Sequence, residues 1–309
     1  MPDQAASLRI LVQEKALGKQ DLPKPETNNN NNNNNNSTVI AVTSGKGGVG
    51  KTSLVVNMGL ILAQRNQRTV IVDADLGLAN VEVLLGLVPP YSVHDLLFGH
   101  KTIEDILVNG PFNLKIIAGG LDFQELADLE QSQRARLIDA LSFFQDKSDF
   151  ILIDTGAGIS RNVLGFVAAA EEVVVVVTPE PTSLTDAYSL IKVLAKFKIH
   201  ERVFLVVNQA VNEQEALLTA EKITFVANKF LPNIKINYLG FIGRENIVSE
   251  AVKSQNPFVL MYPSSQATKS MAQITTNFIT LLGKDDHNLV LSKRGGVRVF
   301  IQKLVKLFR

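Results

Sequence analysis

The chain has 309 residues, of which 46% are hydrophobic, enough for one large α/β domain or two small ones. Its 31 Lys and Arg residues balance 30 Asp and Glu residues, so no net field steers the protein towards nucleic acid or an anionic surface. There is no cysteine, which excludes disulfides, thiolate metal sites, cysteine-ligated iron–sulfur clusters and a cysteine nucleophile from this chain.

The first segment, residues 1–20, has a helical pattern that begins after Asp3, a favourable N-cap. Its apolar residues recur at three- and four-residue steps, at Leu8, Leu11, Val12 and Ala16. Residues 21–37 follow, with prolines and an unbroken asparagine tract that offers almost nothing to bury. The sequence therefore predicts a short helix on a flexible linker.

The body, residues 38–283, alternates short β-branched runs with helical patterns. The runs are almost continuously apolar, like strands buried on both faces: TVIAVTS, TVIVDAD, FILIDTG, EEVVVVVTP, RVFLVVNQ and INYLGFI. Strands separated by helices predict a doubly wound, mostly parallel α/β sheet with helices on both sides. Because such sheets bind ligands at the carboxyl ends of their strands, we expect the functional site at that edge.

Directly after the first run comes GKGGVGKTS, which fits the phosphate-binding pattern GxxxxGK[ST] and leads into a helical segment. Its glycines let several backbone N–H groups turn towards one anion at the positive end of the helix. Lys51 would reach the β- and γ-phosphates, and the Thr52 hydroxyl would ligate Mg²⁺. A glycine-rich turn without a ligand is the alternative. The predicted nucleotide contacts in this loop are Gly45, Lys46, Gly47, Gly48, Val49, Gly50, Lys51, Thr52 and Ser53.

A second lysine, Lys46, directly follows the first glycine of the loop. KGGVGKT with a lysine at that position resembles the deviant Walker A motif of the MinD and ParA class of P-loop NTPases. The resemblance implies a SIMIBI-type, MinD-like fold and a signature lysine that reaches across a dimer interface to the partner's ATP. A second cation there stabilises charge that spreads over the transferring phosphoryl group. The two lysines therefore predict an ATP-dependent homodimer; the alternative is a solvent-exposed loop lysine.

Two aspartate motifs match this class in chain order. VDADLGLAN resembles its switch I, in which Asp75 would position the attacking water near Mg²⁺ and Asn80 would assist. FILIDTGAG resembles switch II, and the resemblance makes Asp154 the Walker B-type carboxylate of the magnesium shell. The predicted metal ligands are Thr52, Asp75 and Asp154. The predicted catalytic residues are Lys46, Lys51, Asp75 and Asn80.

Two later segments also match the class. TPEPTSLTDAY supplies Glu180, Thr182 and Asp186 at spacings similar to those of its dimer-interface segment. The resemblance implies a nucleotide contact by Glu180 and an interface contact by Asp186, while VVNQ places Asn208 where the class reads adenine. All four are ordinary loop residues, which is the alternative interpretation.

The histidines and the absent cysteines narrow the possible functions. The four histidines lack metal-ligand spacing and are interpreted as surface or packing residues: His94, His100, His200 and His287. The iron–sulfur carriers of the same broad class need cysteine ligands that this chain lacks. Metabolic ligases with a related loop need a second substrate pocket, for which the sequence gives no signal.

Near its start the chain contains the motif DQAxxLR, formed by Asp3, Gln4, Ala5, Leu8 and Arg9. The motif resembles the N-terminal activator helix of the FlhG family (also called FleN or YlxH), MinD-like ATPases that control flagellar number and placement. The resemblance implies that this helix stimulates FlhF, a relative of the signal-recognition-particle GTPases, and that the body contacts flagellar switch or regulatory proteins. The alternative for the motif is a frayed amphipathic helix.

Other functions of the class stay open at this point. A MinD-type division-site regulator and an ATP-gated scaffold with negligible turnover are the alternatives to a flagellar regulator. A ParA-like role on DNA ranks lower, since the overall charge gives no sign of the basic surface that it needs.

The final segment, residues 297–309 (VRVFIQKLVKLFR), follows a second polar linker, residues 284–296. At 100° per residue its apolar and basic side chains fall on opposite faces, and it contains no acidic residue. This pattern suits an anionic membrane interface and resembles the C-terminal targeting helix of MinD and FlhG. The predicted membrane contacts are Phe300, Ile301, Leu304, Val305, Leu307 and Phe308.

A terminal helix docked on the body is the alternative for that segment, and docking in the monomer with release in the dimer reconciles the two. No stretch stays apolar for the roughly 18 residues of a spanning helix, and no signal peptide is evident. We therefore expect a cytoplasmic protein that is peripheral on the inner face of the membrane when it is bound to ATP.

Overall fold

The computed structural model describes residues 37–75, 80–99, 101–117, 130–285 and 296–307. The predicted activator helix, most of the asparagine-rich linker, His100, His287 and Phe308 lie outside the described residues. The predictions on Asp3, Gln4, Ala5, Leu8 and Arg9 therefore stay predictions.

The described residues contain eight strands, whose bounds are β1 (Thr38–Ser44), β2 (Thr69–Ala74), β3 (Leu107–Asn109), β4 (Lys115–Ile117), β5 (Phe150–Ala157), β6 (Glu172–Val177), β7 (Arg202–Ala210) and β8 (Lys235–Gly243). They form one sheet in the order β3-β4-β2-β5-β1-β6-β7-β8. All neighbours are parallel except β3 and β4. Each of the predicted strands is present. The sequence analysis missed β3 and β4, because a three-residue strand is too short to produce an apolar run.

The helices in the described part of the chain are α1 (Lys51–Gln64), α2 (Asn80–Leu84), α3 (Val93–Phe98), α4 (Ile103–Ile106), α5 (Gln131–Ser142), α6 (Arg161–Ala169), α7 (Pro181–Lys196), α8 (Glu213–Phe230), α9 (Asn246–Lys253), α10 (Phe258–Met261), α11 (Gln266–Asp285) and α12 (Gly296–Leu307). Helix α11 extends to Asp285, slightly beyond the predicted end of the body. Within the described ranges no helix combines the length and apolar character needed to cross a bilayer.

The core lies in two layers, one on each face of the sheet. Along β1, Val39 and Ala41 point into the layer with α5 to α8 and α12, whereas Ile40 and Val42 point into the layer with α1, α10 and α11. This alternation follows from the two-residue period of a strand, and burial on both faces explains the continuous apolar runs. The doubly wound α/β fold is therefore confirmed.

Helix α12 is docked on the body, against α5, α6 and β1. Its residues Val297, Phe300, Ile301 and Leu304 are at most 6% exposed and belong to the core of that layer. In this structure α12 is thus docked on the body, as in the alternative interpretation of the segment. Three of the predicted membrane contacts, Phe300, Ile301 and Leu304, face protein. The side chains of Val305 and Leu307 are not among those described.

The central strands place the site. Strand β1 lies between β5 and β6, and β5 lies between β1 and β2, so the carboxyl ends of β1, β2 and β5 are adjacent. Asp73 of β2 lies opposite Asp154 of β5 in register, and Val42 of β1 lies on the other side of Asp154. The carboxyl-terminal parts of these strands and the loops that follow them carry both aspartate motifs and the glycine-rich loop.

Candidate nucleotide-binding site

The glycine-rich loop joins β1 to α1 and has the backbone of an anion cradle. Gly48 and Gly50 have φ values of +75° and +92°, a left-handed region that favours glycine. Beneath the loop, a Cβ on Gly45 would lie 2.1 Å from the backbone carbonyl carbon of Asp186 in α7. Above it, a Cβ on Gly47 or Gly48 would meet nothing within 4 Å. The loop is packed on one side and open on the other, as phosphate binding requires.

Lys51 is the first residue of α1 and is buried. Burial lowers the pKa of its ammonium group, and the charges of Asp154 and Asp75 partly oppose that effect. An ammonium group held in this environment gains strongly from a phosphate, because partial desolvation makes its electrostatic interactions stronger. Thr52 and Ser53 follow it and line the same cleft.

Asp154 lies at the carboxyl end of β5 with no exposed surface. Burial raises the pKa of its carboxyl group to about 7, and the nearby Thr52 hydroxyl and Lys51 ammonium group partly offset the rise. Within the described residues the Thr52 hydroxyl is near enough to lower that pKa, but neither carboxylate oxygen accepts a hydrogen bond of ordinary geometry. A buried carboxylate without a partner is unfavourable unless a cation accompanies it.

This buried carboxylate fits Mg²⁺. Magnesium in nucleotide sites is typically held by one or two carboxylates, a hydroxyl, water and the substrate phosphates, so a cluster of many protein ligands is not required. The described residues contain no group of three or more His, Asp or Glu that could hold a metal by itself. The side chains of Thr52, Asp75 and Asp154 would supply the protein part of such a site.

Asp75 and Asn80 are brought together at the end of β2. The Asn80 amide nitrogen Nδ2 lies 3.4 Å from Asp75 Oδ2, and both residues line the cleft beside Lys51 and Thr52. From the other side, a Cβ on Gly156 of the second aspartate motif would lie only 3.0 Å from Asp75 Oδ1. The structure therefore brings residues of the two motifs into contact at one point.

Asp73 was missed by the sequence analysis. It is buried at the end of β2 and accepts backbone hydrogen bonds from Asp75, Asn80 and Val81. Burial raises the pKa of its carboxyl group to about 6, while those three amides oppose the rise. The available signal was a carboxylate inside an otherwise apolar strand, because such a group is buried only where donors satisfy it.

The signature lysine is bound within its own chain. Lys46 Nζ donates to Glu180 Oε2 over 2.7 Å and to Thr182 Oγ1 over 2.9 Å. This hydrogen bond from Lys46 lowers the pKa of the Glu180 carboxyl group. Three residues singled out from distant motifs are thus adjacent, whereas Asp186 contacts the loop through its backbone at Gly45.

Asn208 supports the loop from β7. Its amide donates to the Val49 carbonyl over 2.8 Å and accepts from the Gln209 N–H over 2.9 Å. A Cβ on Gly50 would lie 2.3 Å from its Nδ2, so the two residues are in close contact. Asn208 also lines the cleft, and its contact with adenine stays a prediction.

The cleft has a volume of about 1000 Å³, at the upper end of the range of ligand sites. The glycine-rich loop and the aspartate motifs form one side. The other side is formed by the segment after β8 and by α9, through Arg244, Glu245, Val248 and Val252. This second wall could not be predicted from the sequence, because its residues belong to no motif.

The two histidines that the structure describes have packing contacts. The His94 ring stacks on Phe98 with 4.6 Å between the ring centroids. His200 Nε2 lies 2.7 Å from the Val167 carbonyl oxygen in a buried hydrogen bond. Both contacts agree with the interpretation of these two histidines as surface or packing residues.

Comparison with known proteins agrees with this site. The protein family described as "AAA domain" matches residues 37–209. Antiactivator FleN of Pseudomonas aeruginosa is 39% identical over 268 residues, which are 87% of this chain and 93% of that protein. Flagellum site-determining protein YlxH of Helicobacter pylori is 29% identical and covers 86% of this chain and 89% of its own length.

Among solved structures, the septum site-determining protein MinD complexed with Mg-ADP, from Pyrococcus horikoshii, superposes with a TM-score of 0.65 at 25% identity. The match covers 80% of this chain and 98% of that protein. The sequence and the fold of this chain are thus both similar to those of one known type of nucleotide-binding protein.

Proposed function

The chain belongs to the FlhG (FleN, YlxH) family of MinD- and ParA-type ATPases, and we propose that it uses Mg·ATP to regulate flagellar number and placement. The observation that carries the nucleotide chemistry is the buried carboxylate of Asp154, which accepts no hydrogen bond of ordinary geometry and lies close to Lys51, a residue that lines the open cleft. The flagellar role is supported by the relatives named antiactivator FleN and flagellum site-determining protein YlxH.

Different residues of the site have different roles in ATP binding and hydrolysis. The loop amides and Lys51 bind the phosphates, and Asn208 keeps the loop in its conformation through the Val49 carbonyl. Asp75 and Asn80 orient the attacking water in line with the γ-phosphate. Thr52, Asp75 and Asp154 would hold Mg²⁺, which would supply positive charge to offset the negative charge that develops on the phosphates.

Steady-state ATP hydrolysis by the full-length protein tests this assignment. Activity should appear with Mg²⁺ and disappear with excess EDTA, and Asp154→Asn should raise the Mg²⁺ concentration needed for half-maximal rate. Asp149→Asn is a matched control, because Asp149 pairs with Arg68 away from the cleft. A rate that EDTA leaves unchanged would contradict the proposal.

Dimerisation is the second part of the proposal. The Lys46 side chain is 38% exposed at the rim of the loop, where a partner subunit could approach. By resemblance to the class, Lys46 would exchange its contact with Glu180 for the phosphates of the partner's ATP, and Asp186 would lie at the interface. The ATP-loaded homodimer is then the active form.

Reversible membrane attachment is the third part. Helix α12 carries apolar and basic residues on opposite faces, and one helix of this length binds lipid weakly. A dimer that presents two such helices to an anionic membrane gains avidity, so ATP would control attachment. In the docked monomer the same apolar face is covered by the body.

The N-terminal DQAxxLR motif supports the proposal that this protein binds an FlhF-like GTPase. Gln4 and Arg9 could order a water or meet phosphate charge, and Leu8 would pack the helix on its partner. A peptide of residues 1–20 should therefore raise GTP hydrolysis by the FlhF-like protein of the same cell, and Gln4→Ala or Arg9→Ala should remove the effect. An unchanged rate with the peptide would favour the division-site alternative.

A further inference from the structure

Asp73 is a buried carboxylate to which the proposed reaction assigns no role. It lies in β2 between the buried residues Val72 and Ala74 and is 1% exposed. Burying a carboxylate is strongly unfavourable unless hydrogen bonds compensate, so its position calls for a specific set of donors. Those donors are all backbone amides of the first aspartate motif and the helix after it.

The two oxygens of Asp73 bind both ends of a short segment. Oδ1 accepts the N–H of Asp75 over 3.1 Å. Oδ2 accepts the N–H of Asn80 over 2.9 Å and that of Val81 over 3.2 Å. Asn80 and Val81 begin α2, where backbone N–H groups have no partner within the helix. One carboxylate therefore fixes the backbone of Asp75 and the start of α2 at the same time.

This arrangement controls where two functional side chains lie. Asp75 Oδ2 and Asn80 Nδ2 are 3.4 Å apart, although four residues separate Asp75 from Asn80 in the chain. Gly156 limits Asp75 from the opposite side, since a Cβ there would lie 3.0 Å from Asp75 Oδ1. Asp73 is not among the described residues that line the cleft, and both of its carboxylate oxygens accept backbone N–H groups, so it acts through its neighbours.

We propose that Asp73 is a positioning residue for ATP hydrolysis, which holds Asp75 and Asn80 at the separation that orients the attacking water. This role rests on the proposed function of those two residues. Because reaction rates depend steeply on the placement of such groups, losing Asp73 reduces turnover far more than ATP binding. The phosphate cradle and Lys51 lie on β1 and α1 and do not depend on these hydrogen bonds.

The test compares Asp73→Ala and Asp73→Asn with Asp105→Ala in the full-length protein. Asp105 is a matched control, since it too accepts a backbone N–H, that of Thr102 at the start of α4, but lies outside the cleft. We expect kcat to fall about 100-fold in Asp73→Ala, the loss typical of a roughly 1 Å misplacement, while the Kd for ATP changes less than about twofold. Asp73→Asn should be intermediate, because one carbonyl oxygen still accepts, and Asp105→Ala should keep the wild-type kcat.

A triple variant separates positioning from general stability. If Asp73 acts through Asp75 and Asn80, adding Asp73→Ala to the double variant Asp75→Ala/Asn80→Ala should slow hydrolysis no further. A kcat within about twofold of wild type in Asp73→Ala, a loss of ATP binding equal to the loss of turnover, or multiplicative effects in the triple variant would overturn the role. If Asp73→Ala does not fold, the same measurements on Asp73→Asn decide the question.

The wild-type measurement keeps the two proposals apart. If the wild type hydrolyses ATP and the Asp73 variants do so at the same rate, Asp73 has no positioning role, and the proposed ATPase function is unaffected. If the wild type does not hydrolyse ATP, both the proposed function and the positioning role of Asp73 are wrong.

Discussion

Lys46 Nζ lies 2.7 Å from Glu180 Oε2, so the lysine expected to cross a dimer interface is paired within its own subunit. The side chains of Lys46 and Glu180 are 38% and 53% exposed, and water screens an ion pair of this kind strongly. The pair orders the lysine at the rim of the loop without holding it tightly. Phosphate charge from a second subunit can therefore compete for it.

The first prediction concerns this lysine. Lys46→Ala should raise the dimer dissociation constant with ATP by about tenfold or more, because an interfacial charge contact is lost, while the Kd for ATP changes less than about threefold. Light scattering and calorimetry measure the two quantities. Lys222→Ala, which removes an exposed lysine of α8, should change neither. A full ATP-dependent dimer in Lys46→Ala would contradict the cross-subunit role.

The second prediction separates binding from turnover. Lys51→Ala should abolish measurable ATP binding, since the buried ammonium group neutralises ground-state phosphate charge. Asp75→Ala should bind ATP normally but hydrolyse it about 100-fold or more slowly, because Asp75 acts on the water, and it should accumulate as the dimer. Calorimetry and single-turnover hydrolysis measure these effects, and unchanged ATP affinity in Lys51→Ala would contradict the assignment.

The third prediction concerns pH. Burial raises the pKa of Asp154 to about 7, above its ordinary value of 3.8. Between pH 3.8 and pH 7 the folded protein therefore keeps the Asp154 proton, which the unfolded chain has lost. Without nucleotide or Mg²⁺, the free energy of unfolding should therefore fall as pH rises towards 7 and level off above it. The slope for one proton is at most about 1.4 kcal/mol per pH unit.

Asp73 adds to this slope only below its pKa of about 6, and the four histidines titrate alike in both proteins, so between pH 6 and 7 the difference between the wild type and Asp154→Asn reports on Asp154. Urea denaturation with EDTA at several pH values measures it. Asp154→Asn should remove the Asp154 contribution to the slope in that interval and, at pH 8, should be more stable than the wild type. A difference in the free energy of unfolding between the wild type and Asp154→Asn that stays constant from pH 6 to 7 would show that Asp154 is not buried in its protonated form.

Much of the site could be predicted because its chemistry is local in the sequence. The glycines, Lys51 and Thr52 are consecutive, and Asp75 and Asp154 directly follow apolar runs. The contacts that the sequence analysis missed join residues far apart in the chain. Lys46 and Glu180 are 134 residues apart, and Asn208 and Val49 are 159 residues apart.

The role of α12 could not be decided from its pattern, for a physical reason. A lipid surface and an apolar groove reward burial of the same face, so Phe300, Ile301 and Leu304 fit either environment. In the structure they face the body, next to Val39, Ile151 and Phe166. Docking and membrane binding therefore compete for the same side chains.

The fourth prediction follows from this competition. Sedimentation with vesicles that contain phosphatidylglycerol should require ATP, fall with salt as the basic face is screened, and disappear when residues 297–309 are deleted. Full-length protein with ADP should stay in the supernatant, because the apolar face of α12 is buried. Equal sedimentation of the truncated and full-length proteins with ATP would reject the membrane helix and leave the docked one.

The fifth prediction tests the docking itself from the side of the body. Phe144 follows α5 and lines a small apolar cavity of about 20 Å³ together with Val297, Phe300 and Leu304 of α12. Phe144→Leu removes contacts with α12 without changing the helix or the nucleotide site, so it should favour the undocked state. Vesicle binding with ADP should then rise towards the level that the wild type reaches with ATP, while the Kd for ATP stays the same. Leu231→Ala is the control, since Leu231 is buried in the same layer but does not line that cavity. If both variants lose stability equally and neither binds vesicles with ADP, α12 is a permanent part of the core. A helix that could undock would have been released when its contacts with Phe144 were weakened.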